Sequence, residues 1–112
     1  MVVKVVWVSR RPLTPEHIEI LKKAFGKDIA IRQVDRALTV EGVLEMVEKH
    51  GEDAKYVTVL PPHLMKALVD TGVEVYKFTV EREYIPEVGK FIAIPTGLER
   101  VLEVKYITEK VV

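Results

Sequence analysis

The chain contains no cysteine and no asparagine, and only one serine (Ser9), one glutamine (Gln33) and one tryptophan (Trp7). Without cysteine there is no disulfide framework, thiolate nucleophile or Cys-based zinc or iron–sulfur site, and a reducing, cytoplasmic setting is expected. No apolar run approaches the roughly 20 residues that span a bilayer, so no membrane partner is expected. Met1–Val6 lacks the basic stretch and small-residue cleavage site of an export signal and is read as the start of a strand. A charge excess is also missing. Seventeen Lys/Arg balance seventeen Asp/Glu, which argues against sequence-independent binding to duplex nucleic acid or anionic lipid. None of the six glycines follows the first apolar run, so no dinucleotide or Walker-type phosphate loop is present. No H-x-x-x-H motif or close carboxylate–histidine cluster marks a metal site, and no cofactor is expected. Ser9 has no G-x-S-x-G frame around it.

What is present is a chain of 112 residues, 48% hydrophobic and 30% charged, which excludes intrinsic disorder and predicts a single domain over 1–112. Many Lys and Glu with hardly any amide side chains is a thermophile-like composition. Charge is unevenly placed: residues 1–36 carry eight Lys/Arg against four Asp/Glu, and residues 37–112 nine against thirteen. A basic excess gathered on one face would attract a small anion without making the protein basic overall; a solvated surface with segregated signs is the simpler alternative.

The β-branched run Val2–Val8 is apolar on both faces except at Lys4, as in a strand covered on both sides. Thr14-Pro15-Glu16 predicts a helix start, Ile18, Leu21 and Phe25 share one face, and Gly26 ends the helix. A second strand is expected over Asp28–Val34. Thr39 is expected to cap a second helix with apolar positions Val40, Val43, Leu44 and Val47, ending at His50-Gly51. A third strand over Tyr56–Leu60 leads into a helix starting at Pro61-Pro62, with Leu64, Leu68 and Met65 inward. A fourth strand is expected over Val73–Val80. This βαβαβαβ order with right-handed crossovers predicts a small α/β, Rossmann-like three-layer sandwich, with a core over 1–83 and strand order 2-1-3-4. Residues 84–112 are expected to add a C-terminal antiparallel hairpin, Phe91–Ile94 pairing with Arg100–Thr108 through Pro95-Thr96-Gly97.

In such a sheet ligands bind beyond the carboxyl ends of the strands where strand order reverses. That places Ser9-Arg10-Arg11-Pro12 and Leu60-Pro61-Pro62-His63 at the crevice, with Asp35-Arg36 and Glu81-Arg82-Glu83-Tyr84 from neighbouring strand ends. Arginine forks suit phosphate oxygens, although Arg10 and Arg11 equally suit pairing with helix-end carboxylates. His63 opens a helix, where an imidazole donates to or accepts from a ligand or simply faces water. His17 and His50 fall on predicted helices, and His50 precedes a C-cap glycine, which favours a dipole role.

Two stretches resemble a known family. Val6-Trp7-Val8-Ser9-Arg10-Arg11-Pro12 resembles the V-[ST]-R-x-P that ends the first strand in small CRISPR-associated proteins. Val59-Leu60-Pro61-Pro62-His63-Leu64, followed by Leu68 and Gly72-Val73, resembles the L-P-x-x-L…G segment after their third strand. The resemblance spans residues 2–80. It implies a Rossmann-like fold related to the sensor domains that bind cyclic oligoadenylate. It also implies a metal-independent ring nuclease in antiviral defence, opening that cyclic messenger at the ends of strands one and three. Arg11 stands where that family carries histidine, which moves the imidazole role to His63. On this reading Ser9, Arg11 and His63 are catalytic. Ser9, Arg10, Arg11, Arg36, Pro61, Pro62 and His63 hold cyclic oligoadenylate or another small phosphate-containing ligand.

In that reaction a ribose 2′-OH attacks the adjacent phosphate in line, and the protein fixes geometry and stabilises phosphoryl charge. The missing phosphate loop and the single candidate general acid support a different reading, a non-catalytic nucleotide-binding or protein-interaction module of a defence locus or mobile element. A DNA-binding role is disfavoured by neutral charge and the lack of a recognition helix. The alternation of Leu102, Val104 and Tyr106 predicts an apolar edge that a homodimer would cover.

Overall fold

A computed structural model describes residues 2–35 and 39–104. Arg36 and Tyr106 lie outside the described residues. The elements in chain order are β1 (Val3–Val8), α1 (Pro15–Phe25), β2 (Ile29–Val34), α2 (Val40–His50), β3 (Lys55–Thr58), α3 (Pro62–Asp70), β4 (Glu74–Ile85) and β5 (Lys90–Val101). They build one mixed sheet in the order β2-β1-β3-β4-β5. The first four strands are parallel and β5 returns antiparallel beside β4.

Side-chain alternation along β1 divides the core. Val5 faces α1, packing with Leu21 and Val57 and with half-buried Trp7, Phe25, Ile31, Tyr76 and Phe78. Val6 and Val8 face the other way, onto Val43, Met46 and Val47 of α2 and Leu64, Met65 and Leu68 of α3. A strand covered on both sides needs apolar residues at odd and even positions alike. The run Val5-Val6-Trp7-Val8 meets that requirement.

Local chemistry sets the helix limits. The Thr14 hydroxyl accepts from the His17 N–H and Pro15 opens α1, while the Gly26 N–H donates to the Lys22 carbonyl at its end. Thr39 caps α2 in the same way, its hydroxyl accepting from the Gly42 N–H, and Gly51 at φ +96° ends it. The buried stripe of α2 is Val43, Met46 and Val47. Val40 and Leu44, expected inward, are 41% and 50% exposed. The 43–46–47 spacing centres the apolar face one step further round the helix.

The largest departure is at the carboxyl end. Rather than stopping at Val80, β4 runs on to Ile85 and pairs with β5 through the turn 86–89. No hairpin joins Phe91–Ile94 to Arg100–Thr108, because residues 90–101 form one strand. The turn sits where Pro86 and Gly89 lie, with Gly89 at φ +65° and the Ile85 carbonyl accepting from the N–H groups of Val88 and Gly89. Pro95-Thr96-Gly97 forms a bulge instead of a turn: Thr79 opposes Gly97 and Val80 opposes Pro95, leaving Thr96 as one extra residue. The Thr96 hydroxyl bonds to the Thr79 hydroxyl and carbonyl. A Cβ on Gly97 would come within 3.0 Å of Thr79 Oγ1, so the absent side chain admits the bulge. Edge position excuses Pro95 from donating to a neighbouring strand. Beyond the edge of β3, residues 80–95 form a two-stranded arm. It contains Glu81–Tyr84, which therefore stand on the arm and not at a strand end. Val104 packs against the α2–α3 core, whereas Leu102 is 76% exposed. Among the described residues no helix is long and apolar enough to cross a membrane.

Candidate functional site

Strand order reverses between β1 and β3, since β2 lies on one side of β1 and β3 on the other. Their carboxyl ends are held in register by Thr58, a buried residue whose hydroxyl donates to the Val8 carbonyl at 2.9 Å. The loop leaving β1 is then fixed by side chains. The Arg11 N–H donates to Ser9 Oγ (3.1 Å), and Trp7 Nε1 donates to the Arg11 carbonyl (2.8 Å). Gln33 Nε2 on β2 donates to the carbonyls of Ser9 (2.9 Å) and Arg11 (3.2 Å). The chain's only serine, only tryptophan and only glutamine thus hold one four-residue turn in place. Nothing in the spacing of these three residues forecasts that convergence.

Beside this loop lies a cleft of about 420 Å³. Ser9, Arg11 and Pro12 line it from the loop, Thr14 and His17 from the start of α1, and Thr58 and Val59 from the end of β3. Trp7, Phe78, Val80, Ala93 and Pro95 form its apolar wall. Trp7 and Phe78 meet edge-to-face at 5.6 Å, and His17 meets Phe78 edge-to-face at 4.6 Å. A mostly apolar concavity with a few converging polar groups is the usual form of a small-molecule site.

His17 has a defined chemical state. Its Nδ1 accepts from the Thr14 N–H at 3.2 Å and lies 2.7 Å from Thr14 Oγ1. A ring nitrogen that accepts an N–H carries no proton, so the neutral ring bears its hydrogen on Nε2. Burial lowers the His17 pKa against a smaller opposing pull from Glu16. At neutral pH the ring is therefore an N–H donor rather than a cation or a base. Glu16, exposed at the same helix start, has its carboxyl pKa lowered by a backbone N–H bond and by the Thr14 hydroxyl. That carboxylate already faces the amide end of α1, and Arg11 supplies the positive charge among the cleft residues.

The expected site is thus partly assembled. Ser9 and Arg11 line the cleft, whereas Arg10 is exposed and outside it. Pro61, Pro62 and His63 are exposed at the start of α3 and are not among the cleft residues. Arg36 falls outside the described residues. The physical reason for the separation is that α3 covers the opposite face of the sheet from α1, so its first turn rises away from the α1 side. The residue missed was His17. Its signal was Thr14-x-x-His17 just after the first strand: an imidazole three positions past an N-cap reaches back over the helix start, as a capping-box glutamate does.

A second depression, about 490 Å³, lies between β2 and the end of α2 and is lined by Lys4, Arg32, Asp35, Lys49 and His50 among others. Its cations serve the helix. Lys4 Nζ donates to the His50 carbonyl at 3.1 Å, and positive charge complements the carbonyl end of a helix. Burial, then Lys4, Lys49 and Arg32, lower the His50 pKa. Among the described residues no group of three or more His, Asp or Glu side chains is placed to hold a metal ion. No protein-family model, no curated protein and no solved structure matches the chain.

Proposed function

We propose that the chain binds a nucleotide-class phosphate ester in the cleft at the ends of β1 and β3, with cyclic oligoadenylate as the ligand that the family resemblance implies. One observation carries this reading: an aromatic wall of Trp7 and Phe78 stands beside the Ser9 hydroxyl and Arg11, whose backbone is held by Ser9, Trp7 and Gln33. Purines stack on such a wall at about 1–3 kcal/mol per base. The Arg11 fork takes phosphate oxygens, the Ser9 hydroxyl hydrogen remains to be donated, and His17 Nε2–H adds a neutral donor. A Rossmann-like ligand position at the switch point of the sheet belongs to the same reading.

Ring opening is the second reading, favoured by Ser9 and Arg11 sharing one loop. In-line attack by a ribose 2′-OH would break the bond to the 5′-oxygen, with Arg11 stabilising the phosphoryl oxygens. His63, the expected acid, stands outside the cleft, so protonation of the leaving oxygen falls to water. Binding without chemistry is therefore placed first.

Trp7 fluorescence reads the cleft directly, as it is the sole tryptophan. Titration with cyclic tetra-adenylate should change its emission, and chromatography of the same mixture separates intact ligand from linear products. Arg11→Ala should weaken binding by roughly 1.5–3 kcal/mol, the scale of a lost charge-assisted bond, whereas His63→Ala should bind like the parent. No emission change at millimolar ligand removes nucleotide binding and leaves a protein-interaction role. Linear products would move ring opening to first place.

A further inference from the structure

A capping box commonly places Glu or Gln at the third helical position, where its side chain reaches back to the N-cap N–H. In α1 that position holds His17. Its Nδ1 meets both groups that Thr14 offers, the N–H at 3.2 Å and the hydroxyl at 2.7 Å. The same ring belongs to the cleft: it meets Phe78 edge-to-face at 4.6 Å and stands 6.3 Å from the Trp7 ring. One half-buried side chain therefore closes both a helix start and one side of a cavity. A carboxylate or an amide would do the first of these unchanged across neutral and mildly acidic pH. An imidazole is the side chain that loses its acceptor there.

We propose that His17 is a proton-operated latch on the cleft: when its ring takes up a proton the capping box opens, the ring leaves Phe78, and the cleft widens at the start of α1. The neutral ring carries its hydrogen on Nε2, so the added proton goes to Nδ1, the atom that accepts from Thr14. There it sets one N–H against another. The contact with the hydroxyl can invert, Nδ1 donating to Thr14 Oγ1, but that oxygen already accepts from the His17 N–H, and the Thr14 N–H is left without its acceptor. Charge acts in the same direction. The amide end of a helix disfavours a cation in its first turn, and Arg11 lines the same cleft. Glu16 pulls the other way, but its carboxylate is exposed and engaged by a backbone N–H and the Thr14 hydroxyl, so water screens it. From the other elements the cleft receives only uncharged side chains, Trp7 of β1, Thr58 of β3, Phe78 of β4 and Pro95 of β5 among them. Burial holds the ring neutral at pH 7, and release falls below the ordinary histidine value of 6.5. The latch belongs to the cleft itself and is independent of what binds there.

Trp7 emission, followed without ligand from about pH 7.5 to about pH 5, tests it. In the parent, emission should move to longer wavelength as water reaches the indole, in one single-proton step, while far-ultraviolet circular dichroism stays that of the folded chain. The His17 ring protons should titrate by NMR with the same midpoint. His17→Gln puts a neutral capping-box side chain in place and should show no step. His50→Gln, altered at the end of α2 on the opposite face of the sheet, should behave as the parent does. A parent without the step overturns the proposal, as does an equal step in His17→Gln or one that disappears in His50→Gln. A step whose midpoint differs from that of the His17 ring protons overturns it as well, whether or not the variants fold.

Discussion

One strand experiences two environments. At its start β4 is parallel to β3, and Val75 is fully buried; nine residues later the same strand pairs only with β5, and Tyr84 is half exposed. At the centre, three helices and neighbouring strands remove water from both faces, so side-chain volume decides stability. On the arm the backbone ladder is complete but the side chains keep much of their hydration. The difference teaches that hydrogen bonding shapes the arm, whereas apolar burial holds the centre together.

Substitutions sharpen that contrast. Leu68→Ala, at a fully buried position between α3 and the sheet, should cost about 2–5 kcal/mol by denaturant unfolding. Tyr56→Phe should cost about 1–1.5 kcal/mol. The buried ring, whose phenol pKa is pushed up to about 12, donates to the Gly51 carbonyl at 2.7 Å, and that acceptor would lose its partner. Thr14→Ala removes the α1 cap and should cost about 1 kcal/mol; an unchanged midpoint at unchanged slope would place the cap elsewhere.

Acid probes the boundary between the two regions. Glu74, at the start of β4, has its carboxyl pKa lowered by hydrogen bonds from Lys55 and Tyr76. A depressed folded pKa contributes stability above the unfolded value, near pH 4.3, and that stability is lost as pH falls through the folded value. Glu74→Gln should flatten the part of the stability profile that falls below the unfolded carboxylate value. The smallest effect is expected at the arm's tip. Val88→Ser, at 62% exposure, should change unfolding free energy by less than about 0.5 kcal/mol. A large loss there would mean that the arm is part of the cooperative core.

The same divide explains what could be read from sequence. Doubly covered strands and capped helices leave local marks: the unbroken Val5–Val8 run, Thr14-Pro15, Thr39 and the glycines after Phe25 and His50. These marks located β1, β2, β3, all three helices and the start of β4 to within about two residues, whereas the far end of β4 lies five residues beyond the expected Val80. Half-exposed pairing leaves weaker ones. Alternation over Val80–Ile85 is masked by Glu81-Arg82-Glu83, and Pro95-Thr96-Gly97 has the composition of a turn although it forms a bulge. At the site, Ser9 and Arg11 were legible because topology places a strand end. His17 was not, since its meaning depends on a helix start folding beside Phe78, 61 positions away in sequence.

Thr96 sets a phase. By adding one residue to β5 and none to β4, it inverts the parity of everything from Pro95 back to Lys90 relative to the rest of that strand. Were Thr96 to pair with Val80 instead of bulging, Phe91, Ala93 and Pro95 would move to the side now held by Glu81 and Glu83, and Ile92 and Ile94 would come round to the cleft. The sequence would be the same, yet the two sides of the arm would exchange half their side chains. Which face of this protein is oily is therefore a property of counting rather than of content.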